Sequence, residues 1–142
     1  MSGFGRPELL AYMRSHKLAV VSSLAKEGAP QSALVGVATT DDLEIVFDTV
    51  DKSRKHANMV RDRRVSVAFS GPAEQTLQCE GICAPVPVQG NDGAHYRETY
   101  YRAWPDGRAR LSWEGLVYWR IEPKWARYSD FDRGPLIVEF RW

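Results

Sequence analysis

Hydrophobic positions along this chain recur at two periods, and the switches between them divide it into elements. Over residues 7–15 the apolar Leu9, Leu10 and Met13 fall on one helical stripe, and Pro7 suits the first turn. The period then drops to two. Residues 17–24 alternate with Leu18, Val20 and Leu24 on one side, and Lys26-Glu27-Gly28-Ala29-Pro30 makes a turn. Residues 31–38 form a second strand and 43–49 a third, in which Leu43, Ile45 and Phe47 share a face, with Thr39-Thr40-Asp41-Asp42 as the turn between them. Three successive strands with short links predict an antiparallel meander.

A short helix is expected over 53–63, where His56, Met59, Val60 and Arg63 lie together and Ser53 can cap the first turn. Alternation returns in 64–70 through Val65, Val67 and Phe69. A longer strand runs from 75 to about 88, with Gly81 as a bulge, and Pro85 and Pro87 put its far end at an edge or outside the sheet. Residues 92–104 make a polar, aromatic helix ended by Pro105-Asp106-Gly107. Strands then follow at 115–122, 125–131 and 136–142. Many short strands with two or three helices describe a mainly β fold, a β-barrel with helical decorations, and not a parallel α/β sheet. No glycine-rich phosphate loop follows a strand, so a Rossmann-type dinucleotide site is excluded.

Composition narrows the class. The chain has 142 residues, 44% hydrophobic and 26% charged, enough apolar material for one cored domain spanning 1–142. Its 19 Lys and Arg against 18 Asp and Glu give a net charge of +1, which argues against a protein that lives on nucleic-acid phosphates. No apolar run approaches the ~20 residues of a membrane span. The start lacks the apolar core of a secretory signal, so a cytoplasmic protein is expected. Cys79 and Cys83 would share one strand face roughly 13 Å apart at ~3.3 Å per residue, too far for a disulfide, and read as buried free thiols. His16, His56 and His95 show no metal-ligand spacing, so no metal is expected.

The most informative stretch is Asp48-Thr49-Val50-Asp51-Lys52-Ser53-Arg54-Lys55. A helix N-terminus carries partial positive charge and ordinarily attracts acidic residues. Here three cations crowd it. Either Asp48 and Asp51 fold back to neutralise a solvated basic turn, or an anion such as a phosphate is held by backbone N–H groups, the cations and the hydroxyls of Thr49 and Ser53.

Thr49, then Ser53-Arg54-Lys55, then Arg64-Val65-Ser66-Val67-Ala68-Phe69 resembles the flavin-binding split barrels of the pyridoxamine 5′-phosphate oxidase superfamily. The likeness also takes in residues 16–21, Gly28-Ala29-Pro30-Gln31, Glu80-Gly81 and residues 117–123, in order along most of the chain. It implies a six-stranded antiparallel split β-barrel of Greek-key type. It further implies a homodimer with FMN in two interface grooves. Carried over by position, Asp48, Thr49, Ser53, Arg54 and Lys55 surround the FMN phosphate, and Ala33, Leu34 and Val35 lay their backbone along the isoalloxazine ring. Gln75 or Thr76 matches the family's flavin-contacting glutamine, and the last contact falls near Tyr128 and Ser129.

The resemblance also has departures. The oxidase has an arginine that contributes to flavin binding where this chain has Ala33, a lysine for the substrate phosphate where it has Ala38, and a closing Arg-x-His motif that 129–135 lacks. A vitamin B6 phosphate would lose its partners, which argues against true pyridoxamine phosphate oxidase activity. Trp119 shares a face with Val117 and Ile121 and reads as core. Tyr100, Trp104 and Trp113 are candidates for pocket walls or for interface packing. No residue stands out as an acid–base catalyst, as expected where a cofactor carries hydride chemistry. The reading is an FMN-dependent oxidoreductase moving hydride from a reduced nicotinamide to a small-molecule acceptor. Its rivals are a flavin- or haem-binding carrier or sensor without turnover, and a deazaflavin-dependent reductase.

Overall fold

The computed structural model describes residues 3–142. The chain runs α1 (Arg6–Ser15), β1 (Leu18–Leu24), β2 (Pro30–Gly36), β3 (Ala38–Thr39), β4 (Ile45–Val50), α2 (Arg54–Arg61), β5 (Arg64–Ser70), β6 (Gln75–Val86) and α3 (Ala94–Ala103). A 3-10 segment at Pro105–Ser112 leads into β7 (Leu116–Asp130), and a short one at Phe131–Arg133 into β8 (Leu136–Arg141).

All the strand pairings are antiparallel, in the order β2-β1-β5-β6-β7-β4-β3, with β8 added to the second half of β7. Strands β2 and β3 are one extended run broken at Val37, whose N–H leaves the ladder for the Lys17 carbonyl at 2.8 Å. The first half pairs with β1 and the second with β4. The two ends of the strand order therefore meet through Val37, and the sheet curls into the expected split barrel of six strands, β2 and β3 counting as one. The meander is present with its middle strand divided.

Two apolar clusters sandwich the barrel wall. Inside lie Phe47, Leu77, Trp119 and Ile121, closed by Leu9, Tyr12 and Met13 of α1 and by Met59 of α2. Outside, Val46, Val86, Leu116 and Tyr118 are covered by Tyr100 and Tyr101 of α3. This double cover explains why Ile45, Val46 and Phe47 are all fully buried in successive positions. Trp119 belongs to the core, as its pattern indicated, and Cys79 and Cys83 are buried free thiols. Burial pushes Cys79 up to about 12 and Cys83 up to about 11, so neither is a nucleophile near neutral pH.

Three expectations are corrected. The buried side of β1 is Ala19, Val21 and Ser23, whereas Leu18 faces outward at 55% exposure. In α2 the inward residues are Asn58 and Met59, and Val60 is exposed. The strands expected at 115–122 and 125–131 are one continuous β7, although Glu122-Pro123-Lys124 reads as a break. The bulge at Glu80/Gly81 explains the last point. Gly81 lies opposite Pro123, where the register shifts, and a Cβ there would run into the Glu122 carbonyl. The proline thus occupies the irregularity that tolerates it.

Candidate functional site

Helix α2 starts where β4 ends, and its first turn is built from the residues that the pattern singled out. Ser53 is the N-cap and its Oγ accepts from the His56 N–H at 3.2 Å, while Thr49 Oγ1 donates to Ser53 Oγ at 3.0 Å. No acidic residue stands in the first turn. Asn58 holds the helix against the barrel, its Nδ2 donating to Ser23 Oγ of β1 at 3.0 Å and to Gln31 Oε1 of β2 at 2.9 Å. As a result Arg54 and Lys55 face β1 and β2 across a cavity of ≈ 120 Å³ that Val21, Ser23, Gln31, Ser32 and Ala33 also line.

The neighbouring aspartates do not neutralise this corner. Asp48 accepts from Arg110 Nε at 2.8 Å and from the Tyr100 hydroxyl at 3.0 Å. Asp51 turns against Gly115, and its N–H donates to the Gly115 carbonyl at 2.8 Å. Among the described residues, Lys52, Arg54 and Lys55 form no ion pair. Burial lowers the Lys55 pKa below its ordinary value, and the charge of Asp48 only partly opposes this. A half-buried cation without a bonded counter-charge, beside a helix N-terminus with two hydroxyls at hand, suits a phosphate.

The other expected site residues divide. Ala33, Leu34 and Val35 lie on β2, which has β1 as its ladder partner on one side. Leu34 is 66% exposed, so this strand offers an open surface directly beside the basic cavity. Gln75, Thr76 and Ser129 stand elsewhere, at the far ends of β6 and β7, where Thr76 pairs with Ser129 and Gln75 Nε2 donates to Asp130 Oδ2 at 3.5 Å. They share no cavity lining with Arg54 and Lys55. Asp48 is placed beside the corner but its carboxylate is turned onto Arg110 and Tyr100.

That second cluster escaped the sequence reading. Arg110 also donates to Asp106 and to the Tyr100 hydroxyl, and Tyr101 and Tyr118 share a hydrogen bond of 2.6 Å beneath it. Burial works against the Arg110 charge, but the hydrogen bonds to Asp48 and Asp106 together with the charges of Tyr100 and Asp48 more than offset it, so its pKa is raised. Tyr100 is therefore a structural tyrosine and not an open wall. Trp104 covers Gly36 and donates from Nε1 to the Val37 carbonyl at 3.0 Å, and Trp113 remains 56% exposed. Asp48 and Arg110 are 62 residues apart, and no local spacing could have paired them. His56 accepts at Nδ1 from the Trp119 indole at 3.0 Å. Among the described residues no group of three His, Cys, Asp or Glu side chains converges, and no helix is long and apolar enough to cross a membrane.

A curled, all-antiparallel sheet closed through Val37 and flanked by helices places the fold in the split-barrel class. Residues 6–132 match the family described as pyridoxamine 5′-phosphate oxidase, and the chain belongs to that family. Solved structures with the same fold include a heme binding protein from Mycobacterium smegmatis, 15% identical with a TM-score of 0.82 over 99% of this chain. This chain spans 60% of that protein's length. HutZ, the heme storage protein of Vibrio cholerae, is 12% identical over 83% of this chain and 89% of its own, with a TM-score of 0.72. PhzG from Burkholderia lata 383, solved with tetrahydrophenazine-1-carboxylic acid, is 15% identical over 96% of this chain and 84% of its own, with a TM-score of 0.69. No curated protein matches the chain in sequence.

Proposed function

We propose that this protein is an FMN-binding oxidoreductase that takes hydride from a reduced nicotinamide and passes it to a small acceptor. The observation that carries this reading is the pair Arg54 and Lys55, unpaired by any carboxylate and facing the open strand β2. The residues fit the phosphate of the cofactor. Arg54 and Lys55 would hold it together with the first N–H groups of α2 and the hydroxyls of Thr49 and Ser53. The backbone of Ala33, Leu34 and Val35 would support the ring and exclude water from one of its faces. When bound, flavin supplies the hydride chemistry, which is why the chain needs no acid–base residue of its own there.

Gln75, Thr76 and Ser129 do not line the cavity that holds Arg54 and Lys55, and in this reading a second copy would bring them to the groove. The working unit of the proposal is therefore a homodimer. Ala38 stands where the oxidase has a lysine for its substrate phosphate, so a vitamin B6 phosphate lacks that partner, and the acceptor is taken to be a different small molecule.

Titration with FMN, followed by flavin fluorescence, tests the site. Arg54→Ala with Lys55→Ala should weaken binding about a hundredfold, since each lost charge-assisted hydrogen bond is worth roughly 1.5–3 kcal/mol. Unchanged affinity removes the phosphate assignment. Anaerobic bleaching of the bound flavin by NADH or NADPH then distinguishes an enzyme from a carrier. The haem reading draws support from the shared fold of the M. smegmatis and V. cholerae proteins. A Soret band after addition of haemin, with no flavin affinity, would favour it.

A further inference from the structure

We propose that the cavity between the C-terminal turns of α1 and α3 is a second anion site, which takes a small organic molecule by its carboxylate or phosphate group. It measures ≈ 450 Å³, and its lining includes Arg14, Lys17 and Arg102 over an apolar floor of Met13, Val37 and Ala38. That volume falls in the range of small-molecule sites, roughly 300–1,000 Å³. None of its lining residues belongs to the basic cavity at α2, so the inference does not depend on flavin.

Each cation has a local reason to be there. Arg14 Nε donates to the Thr39 carbonyl at 3.1 Å and Nη2 to Asp41 at 2.8 Å. Lys17 Nζ donates to the Ala103 carbonyl at the end of α3, at 2.8 Å, and lies 4.7 Å from the centre of the Trp104 ring. Helix C-termini attract cations, and this accounts for each residue singly. It does not account for three of them lining one cavity opposed by a single carboxylate. The Asp41 side chain is 91% exposed, so water screens the only charge that Arg14 pairs with. Among the described residues, Arg102 makes no hydrogen bond or ion pair, and its charge acts only through space on the same exposed Asp41.

Thr39 lines the same cavity and is 2% exposed, so it contributes packed wall next to Val37 and Ala38. Cations at the rim and an apolar floor describe a ligand with an anionic head and an apolar body.

Residue-resolved NMR of the full chain tests this, with inorganic phosphate and benzoate as separate probes. Saturable shifts at Ala38, Thr39 and Arg102 are expected from at least one probe, and which one acts separates phosphate-bearing from carboxylate-bearing ligands. Arg102→Glu should weaken that response about tenfold or more while leaving any phosphate response at Arg54 and Lys55 intact. Arg102→Lys should retain most of the affinity. No saturable shift at Ala38 and Thr39 with either probe, or a response indifferent to Arg102→Glu, overturns the proposal.

Discussion

Asp48 and Arg54 stand six positions apart, yet the charges around them have opposite fates. At Asp48 the protein satisfies itself: Arg110 and Tyr100 both donate to the carboxylate, and the pair is largely buried, at 17% and 12% side-chain exposure. At Arg54 and Lys55 no carboxylate among the described residues comes within ion-pair distance, and Asp48 acts on the half-buried Lys55 only through space. The pKa directions express the same contrast, with Arg110 raised by its partner and Lys55 lowered by burial. Charge of the first kind fastens α3 and the segment behind it to the barrel. The half-buried Lys55 is held at a cost to the fold, and such a cost is understood when something outside the chain repays it.

Breaking the closed cluster should have the largest effect. Asp48→Ala leaves Arg110 with only the exposed Asp106 as counter-charge and takes the acceptor from the Tyr100 hydroxyl, and should cost about 2 kcal/mol or more of stability, read from the urea midpoint. FMN affinity, corrected for unfolded protein, should stay nearly constant. The complementary Arg54→Ala, Lys55→Ala protein should show the reverse, with its hundredfold affinity loss and an unchanged or slightly raised midpoint. If both variants lose stability alike, the two regions are not different in kind. Ser53→Ala is expected to cost about 1 kcal/mol, because it removes the cap of α2 and strands the Thr49 hydroxyl.

The smallest effect is a titration. With its pKa lowered, folded Lys55 releases its proton before the unfolded chain does. Its contribution to stability is therefore unfavourable at low pH and recovers as pH rises through the folded value towards 10.5. NMR of the Lys55 side chain should give a pKa below 10.5 in the free protein and an upward move when FMN is added. A value that ignores FMN would count against Lys55 as a phosphate ligand.

The local signals were legible wherever chemistry and spacing coincide. Val65, Val67 and Phe69 alternate and are buried as they should be, and the Gly81 bulge and the Ser53 cap can be read from single residues in context. Residue 123 was misleading because a proline ordinarily ends a strand, and only the bulge on the neighbouring strand makes it acceptable. The face of β1 is misleading because Leu18, Val20 and Leu24 are together bulkier and more apolar than Ala19, Val21 and Ser23, whereas the interior there accepts the smaller set. Helix α2 was misoriented because the hydrogen bonds of Asn58 to Ser23 and Gln31 pull inward a residue that hydropathy places outside.

From the sequence alone come the antiparallel strands, the cationic start of α2 and the order of motifs that marks the family. All three reside in short stretches, where period, capping and turn chemistry act between residues a few positions apart. The folded chain alone decides which of those charges find partners. Asp48 meets Arg110 across 62 positions, Lys17 meets Ala103 across 86, and among the described residues Arg54 forms no ion pair. Coulomb attraction and desolvation depend on distance through space and on exclusion of water, and chain order carries neither until the barrel has closed.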